Sequence, residues 1–558
     1  MNRFLLYART LAHLQLQQIF ALVQKRILPA RTVISDFKDV QLREGIGLSA
    51  CISRSRLSGN EFVFSFLNQT REFPEGKIDW LCKDMPKLWR YNLHYFDYLL
   101  DSDRCSKAKA RLISDWIDRN PIGIGDGWEP YTLSLRIVNW IKFFLGGEGS
   151  VLERWSHSLY HQTLWLERNV ETHILANHYL KNGVALFFAG MYFRGEDADR
   201  WLLKARQILH RQLDEQFLGD GGHYERSPMY HAISVRDYLD VLNLIYNSRI
   251  GITYEGTERL EVRTRLAVEF LRDLCLPDGE IPLFNDAAFG IAPCPADVIS
   301  YAHSVFDYVP QPYNSSFAVK EKAFSGYYVT REGPDMMVID CGPVGPDYQP
   351  GHAHADTLSF ELALDGRRVV VDTGVYDYEP GSRRAYARST RAHNTVCVDG
   401  QDQSEVWGVF RVARRAYPLY ASLTSDRPGH ALFLGAHDGY RRLPGRLTHE
   451  RMIEYFSPGR WTVRDTVQGK GEHSIESYLH LHPDYEPHIV AGVVEVRDRT
   501  GRVHMVVEPP ANATTTLRSG CYFPEFGKEL ANSIIVMAYR GRVPVTLTYR
   551  MLKTVTPQ

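Results

Sequence analysis

Between about residues 90 and 300, apolar side chains recur at three- and four-residue spacings, the period of an amphipathic helix. In YTLSLRIVNWIKFFL (131–145), Leu133, Ile137, Trp140, Ile141 and Phe144 fall on one face. The same spacing predicts helices over 158–168, 172–190, 196–217 and 231–246, with another from about 257 to 275. Short links rich in Gly, Pro and Asp join them, as in GIGDGWEP and LPDGEIPLFNDAAFG, and no internal repeat is visible. Many helices of similar length with short links predict paired helices in a toroid or solenoid.

After DYVPQPYNSS (307–316), a Pro/Ser/Asn-rich connection, the period changes. GYYVTRE, MMVIDCG, LSFELALDGRRVVVDTG, HMVVEPP, SIIVMAYRG and VPVTLTYRML read as strands. Leu358, Phe360, Leu362 and Leu364 alternate with polar or small residues, and Asp365-Gly366 is a hairpin turn signal. A run of strands this long predicts an antiparallel sandwich of about 240 residues following the helical part. A cleft between two such domains is a common place for a ligand.

Composition narrows the function classes. The 558 residues carry 65 Lys and Arg against 66 Asp and Glu, a net charge of −1. A nucleic-acid binder usually shows a basic excess, so none is expected as a partner. Eight cysteines lie without a CxxC pair, which gives neither a zinc-knuckle spacing nor a disulfide framework. MNRFLLYARTLAHLQLQQIFALVQKRILPA has its apolar run broken by Arg9, His13 and several Gln, so it reads as an amphipathic helix and not a signal peptide. Nowhere do 18 apolar residues follow one another, so no membrane span is expected. No pattern speaks to oligomeric state.

Chemistry-bearing residues gather in a few places. GHAHADTLSFEL (351–362) sets His352 and His354 two apart at a strand entrance, where side chains i and i+2 share a face. Asp372 ends VVVD, and His393 sits in STRAHNTVCVDG between Arg391 and the next strand. Two imidazoles and a carboxylate suit a divalent transition metal such as zinc. A flush hairpin at Asp365-Gly366, however, leaves Asp372 opposite Ser359, roughly 16 Å along the strand from His354, so the chain around 351–356 must bend back for the three to meet. In the helical part, Asn177 and His178 are adjacent within a helical pattern, where Asn is a poor interior residue unless its amide has a partner. GGHYERSPMYH (221–231) offers Tyr224, Arg226 and Tyr230 around Ser227-Pro228, an N-cap and first-turn pair that places Tyr230 at the start of a helix.

These stretches, in order, resemble the bacterial heparinase II/III-like polysaccharide lyases, which include heparinases and related alginate lyases. The resemblance runs from about residue 85 to 550 and is carried by YNLHYFDYL, WEPYTLSLRIVNW, ANHYLKNG, GGHYERSPMYH, DGEIPLFND, GHAHADTLSFEL, VVVDTGVYDY and RAHNTVCVDG. With the amphipathic N-terminus read as a helical arm over 1–75, it implies a multidomain α+β fold: an (α/α) toroid over 76–310 and an antiparallel β-sandwich over 311–558. It implies Asn177 and His178 at a uronate carboxylate, with Tyr230 and His352 as the acid and base of a β-elimination. His354, Asp372 and His393 match its metal ligands, for a divalent ion, zinc, in a structural role. Tyr224, Arg226 and Arg391 are further expected contacts to sugar or carboxylate. The implied partner is an anionic polysaccharide or oligosaccharide. The missing export signal sets the chain apart from exported degradative relatives, and the expected location is cytoplasmic or periplasmic. Two other readings stand beside this one: a metal-dependent glycan hydrolase, and a non-catalytic polysaccharide-binding or assembly protein.

Overall fold

The computed structural model describes residues 3–27, 40–49, 51–52, 62–74, 77–147, 151–250, 255–310 and 316–554. Residues 75–76 and 311–315, on which the two expected domain boundaries fall, lie outside the described residues.

The first 75 residues, expected to be helical, hold two helices, α1 (Arg3–Leu11) and α2 (Leu16–Ile27), and then strands. Val63–Phe66 and Gln69–Glu72 form a hairpin whose turn, Leu67-Asn68, has φ of 55° and 58°. The cause is local: VFSF and QTRE are short alternating runs around a residue pair that accepts the left-handed region a tight hairpin needs. Helix α1 docks on the β half through an Arg9–Glu405 ion pair of 3.2 Å and an edge contact of Tyr7 on Trp407.

The helical half continues with α3 (Lys87–Tyr95), α4 (Ser106–Arg119), α5 (Pro130–Leu145), α6 (Glu153–Arg168), α7 (Ala176–Tyr192), α8 (Glu196–Gln216), α9 (Pro228–Asn247), α10 (Thr257–Leu274) and α11 (Pro295–Phe306). Alternate helices pack on one another in succession: α3 on α5, α5 on α7, α7 on α9 and α9 on α11. Helices α6, α8 and α10 lie against this row. That is the (α/α) arrangement of paired helices, with an inner layer formed by the odd-numbered members. The inner members are the most apolar. In α7, every residue from Leu180 to Tyr192 is buried, as expected for a helix covered on all sides.

The β half is a sandwich. One layer is an eight-stranded antiparallel sheet, ordered 418–424, 430–437, 448–456, 460–468, 545–553, 503–508, 493–498 and 485–490. The other layer holds a five-stranded meander (317–322, 327–332, 335–340, 360–364, 367–370) and a four-stranded sheet (396–398, 472–480, 530–542, 514–522). Asp365 and Gly366, with φ of 50° and 80°, close the expected two-residue hairpin. The alternation read at 358–364 is real, yet neither face meets solvent. Phe360, Leu362 and Leu364 enter the sandwich core, while Ala363 packs with Phe270, Leu274 and Phe284 of the helical half. Between them, Glu361 accepts the Leu283 N–H at 2.6 Å and an Arg368 N–H at 2.8 Å. The halves are joined through an apolar contact, which fixes the walls of anything lying between them.

Behind the meander, fully buried Arg451 binds Asp465 with two N–H groups (2.7 and 2.8 Å) and donates to the carbonyls of Leu358 and Asn394. It thereby ties the strand that follows His354 to the segment that follows His393. Arg451→Met leaves the Asp465 charge buried and those carbonyls without a donor. The expected cost is about 3–5 kcal/mol, read from the denaturant midpoint.

Candidate active site and metal cluster

A cavity of about 820 Å³ opens where the inner helices α3, α5, α7 and α9 meet the β half. The helices contribute Tyr131, Asn177, His178 and Tyr230 to its wall, and the β half contributes His352 and Tyr378. Four of the sequence-derived candidates, Asn177, His178, Tyr230 and His352, therefore share one crevice.

Tyr230 lies in the first turn of α9, where the Ser227 side chain accepts its backbone N–H at 3.4 Å and Pro228 stands at the first helical position. Its ring stacks on His352 with centroids 3.9 Å apart, and its hydroxyl is 3.2 Å from that of Tyr378. Burial, with Tyr378 beside it, holds the Tyr230 phenol well above the usual range, so it stays protonated. His352 is oriented from behind. Its Nδ1 is 2.9 Å from Asp286 Oδ2, so with the proton on Nδ1 the Nε2 lone pair is left on the other side. That atom lies 3.6 Å from Glu225 Oε2. Burial pushes the Glu225 carboxyl up.

The sequence reading set Asn177 inside a helix; it does lie in α7, but in the first turn and not the interior. Helix α7 begins only at Ala176, after Leu175 and Ala176 take φ of 65° and 52°. Left-handed backbone at a Leu and an Ala costs of order 1–3 kcal/mol per residue and persists only where the surroundings impose it. Here it brings Asn177 and His178 to the first turn. The Asn177 N–H points at Glu225 Oε1 at 3.4 Å. His178 packs on Tyr131 with centroids 4.3 Å apart and places Nδ1 3.0 Å from Glu171 Oε1. Burial disfavours the charged imidazole, but the Glu171 carboxylate outweighs it and the His178 pKa is raised. Glu171 is buried, His178 only partly, and the same contact holds Glu171 below the usual carboxylate range.

The metal candidates form a second group, off the cavity wall. His354 Nε2 is 2.8 Å from Asp286 Oδ1, and His393 Nδ1 is 2.7 Å from Asp372 Oδ2. Each carboxylate fixes a tautomer, which leaves His354 Nδ1 and His393 Nε2 as lone-pair donors. Both atoms are buried without a protein partner. With a carboxylate oxygen of Asp356 they lie within 4.8 Å of one another, so His354, Asp356 and His393 could hold a metal ion. This candidate group differs from the expected set at one position, with Asp356 where Asp372 was expected. Asp372 spends one oxygen on His393 and the other on the Gly374 N–H at 3.1 Å, while Asp356 faces both free imidazole nitrogens. A carboxylate behind a ligating imidazole is the usual outer partner of such a group. Strand spacing missed this because 351–357 is a turn, not a strand.

The three looser candidates lie elsewhere, and none lines the cavity. Tyr224 is buried with its hydroxyl 3.2 Å from that of Tyr348. Arg226, at φ 55°, gives its guanidinium to the carbonyls of Ser325 and Tyr224 (3.0 and 2.9 Å). Arg391 is exposed. Sequence reasoning in turn missed Glu225, Asp286, Tyr131 and Tyr378. All four lie inside the stretches that carry the resemblance, GGHYERSPMYH, DGEIPLFND, WEPYTLSLRIVNW and VVVDTGVYDY, but none was given a role.

A paired-helix layer carrying an antiparallel sandwich, with polar groups from both halves around one crevice, defines a two-domain protein with a cavity where its halves meet. The heparinase II/III N-terminus model matches residues 58–308 and the heparinase II/III-like C-terminal model matches 317–550. The chain belongs to the heparinase II/III-like family. It is 26% identical over 321 residues to a heparin-sulfate lyase of Pedobacter heparinus, covering 52% of this chain and 47% of that one. It is 27% identical over 438 residues to FtsZ-localized protein C of Caulobacter vibrioides, covering 70% and 69%. The chain thus spans about half the length of the Pedobacter relative. Among solved structures, heparinase III superposes with a TM-score of 0.69 at 19% identity, covering 86% of this chain and 80% of that one. That likeness is one of fold.

The Glu171–His178 contact makes a measurable prediction. Because the carboxylate raises the imidazole pKa, the protonated form is held below that pKa and lost as pH rises through it. In Glu171→Gln the loss should occur at lower pH, with burial then dominant. A histidine NMR titration of both proteins reads the difference.

Proposed function

We propose that the chain is a polysaccharide lyase that cleaves a uronate-containing chain by β-elimination. The observation that carries this reading is the Tyr230–His352 stack, 3.9 Å between centroids, set in the same cavity wall as Asn177 and His178. The C5 proton of a uronate is weakly acidic because its loss builds negative charge beside a carboxylate. An Asn177 amide and a protonated His178 at that carboxylate offset the charge as it develops. His352, with Nδ1–H on Asp286, presents Nε2 as the base for the C5 proton. The Tyr230 phenol, kept protonated by burial, donates to the O4 that departs as the C4–O bond breaks.

The metal belongs to the scaffold in this reading. The orphaned His354 Nδ1 and His393 Nε2 beside Asp356 fit a divalent ion of zinc type, which would neutralise a buried carboxylate and pin the turn carrying His352. His354 and His393 are fully buried and off the cavity wall. That position argues against the hydrolase alternative, in which the ion must meet substrate and water. The binding-protein alternative has no use for a phenol and an imidazole held in ring contact.

Two outcomes are expected. Tyr230→Phe and His352→Ala should each slow the appearance of the conjugated, ultraviolet-absorbing product by about 10²–10⁴-fold on a uronate polymer. Wild-type rates in both would remove the assignment. Separately, zinc added to chelator-treated protein should raise the melting temperature, with about 2.7 kcal/mol of stabilisation at a hundredfold excess over the dissociation constant. His354→Ala should abolish that shift.

A further inference from the structure

We propose that the cavity is built for a polyuronate chain bearing no sulfate groups; the inference rests on the lyase reading and narrows its substrate class. The first support is charge. Five Lys and Arg side chains line the cavity, and so do five Asp and Glu side chains. The three lysines are each paired with a carboxylate. Lys142 is 2.6 Å from Asp240, and Lys181 is bound to Asp237, each pair buried. Arg236 stands 3.9 Å from Asp237, and at the mouth Lys87 is 2.9 Å from Glu129. Arg411 lies over the Trp407 ring, 4.9 Å from its centroid.

A sulfated chain brings one to three further anions per disaccharide, each needing a charge-assisted partner once water is removed. Taking Lys142 or Lys181 for that purpose breaks a buried ion pair and strands an aspartate, the costliest way to lose such a contact. The single carboxylate of the reacting ring needs neither, since Asn177 and His178 stand apart from those pairs.

The second support is the rest of the lining. Leu88, Leu135, Val138, Val184, Ile233 and Phe526 supply much of the wall between the ionic pairs. Their side chains offer a sulfate no hydrogen bond, but they suit the C–H faces of sugar rings and the methyl of an N-acetyl group.

The test pairs each unsulfated polymer (hyaluronan, unsulfated chondroitin, N-acetylheparosan and alginate) with its chemically sulfated derivative. Rates of double-bond formation are measured for the wild type, and binding for Tyr230→Phe by calorimetry. An unsulfated member is expected to be turned over, with kcat/KM at least about tenfold above its sulfated form, the scale of one uncompensated charge. Tyr230→Phe should bind in the same order, and this arm keeps the inference testable even if elimination fails on every polymer. Two variants probe the cause. Asp240→Asn releases Lys142, and Glu379→Gln removes an exposed carboxylate at the mouth. Each should raise the sulfated-to-unsulfated ratio, by up to about tenfold, and the exposed Glu379 change leaves folding intact. Equal or faster turnover of a sulfated member, tighter binding of it, or no binding of any unsulfated polymer would overturn the inference. The first of these would leave the lyase assignment standing.

Discussion

Asp286 sits in the link between α10 and α11 with no exposed surface, and three parts of the molecule converge on it. Its carboxylate meets His352 Nδ1, His354 Nε2 and the guanidinium of Arg384, which approaches from a short helix, Ser382–Ala387. Its backbone N–H donates to the His352 carbonyl at 3.0 Å, and its carbonyl accepts the Ser227 hydroxyl at 2.7 Å. Ser227 caps the helix that carries Tyr230, so one buried residue holds both members of the ring stack and one imidazole of the candidate metal site. An ionised carboxylate is tolerated at such depth only when fully paired, and Arg384 with the two imidazoles holds its pKa well below the usual range.

That arrangement explains how two histidines a residue apart take unlike roles. Both turn toward the same carboxylate, one to each oxygen. His352 keeps its far nitrogen toward the cavity, whereas His354 is completely buried and turns its free nitrogen to His393 and Asp356. The cavity and the cluster are adjacent yet separate, so a change in one is felt in the other through Asp286 and not through shared solvent.

Burial of both faces of the 360–364 strand serves the same end. The sandwich core fixes one face, and the packing of α10 with the 276–284 link fixes the other. The loops that precede and follow the strand, bearing His352, His354 and the Asp365-Gly366 turn, inherit that rigidity. Strain gathers around them: Leu175, Ala176, Arg226 and Asn285 are left-handed in segments that touch the cavity or Asp286. Backbone of this kind recurs where function dictates a side-chain position.

Much of this was legible in the chain. A period near 3.6 gave the helices from 131 to 275 and a shorter one gave the strands, because each element must bury one stripe or one face, and that demand is written in local spacing. Ser227-Pro228 marked the start of α9, and Asp365-Gly366 marked a turn, because capping and left-handed backbone are decided within a few residues. Motif order pointed to Asn177, His178, Tyr230 and His352. Tertiary structure alone decided the rest. Whether Asp372 or Asp356 faces the imidazoles, and whether Arg226 meets substrate or carbonyls, depends on how a turn at 351–357 and a bend at 226 fold back. Those conformations are held by Asp286, Arg451 and Ser325, groups roughly 60 to 100 residues away in sequence. Charge balance in the cavity is likewise invisible in a net charge of −1, because it arises from which lysine each aspartate happens to meet across the inner helices.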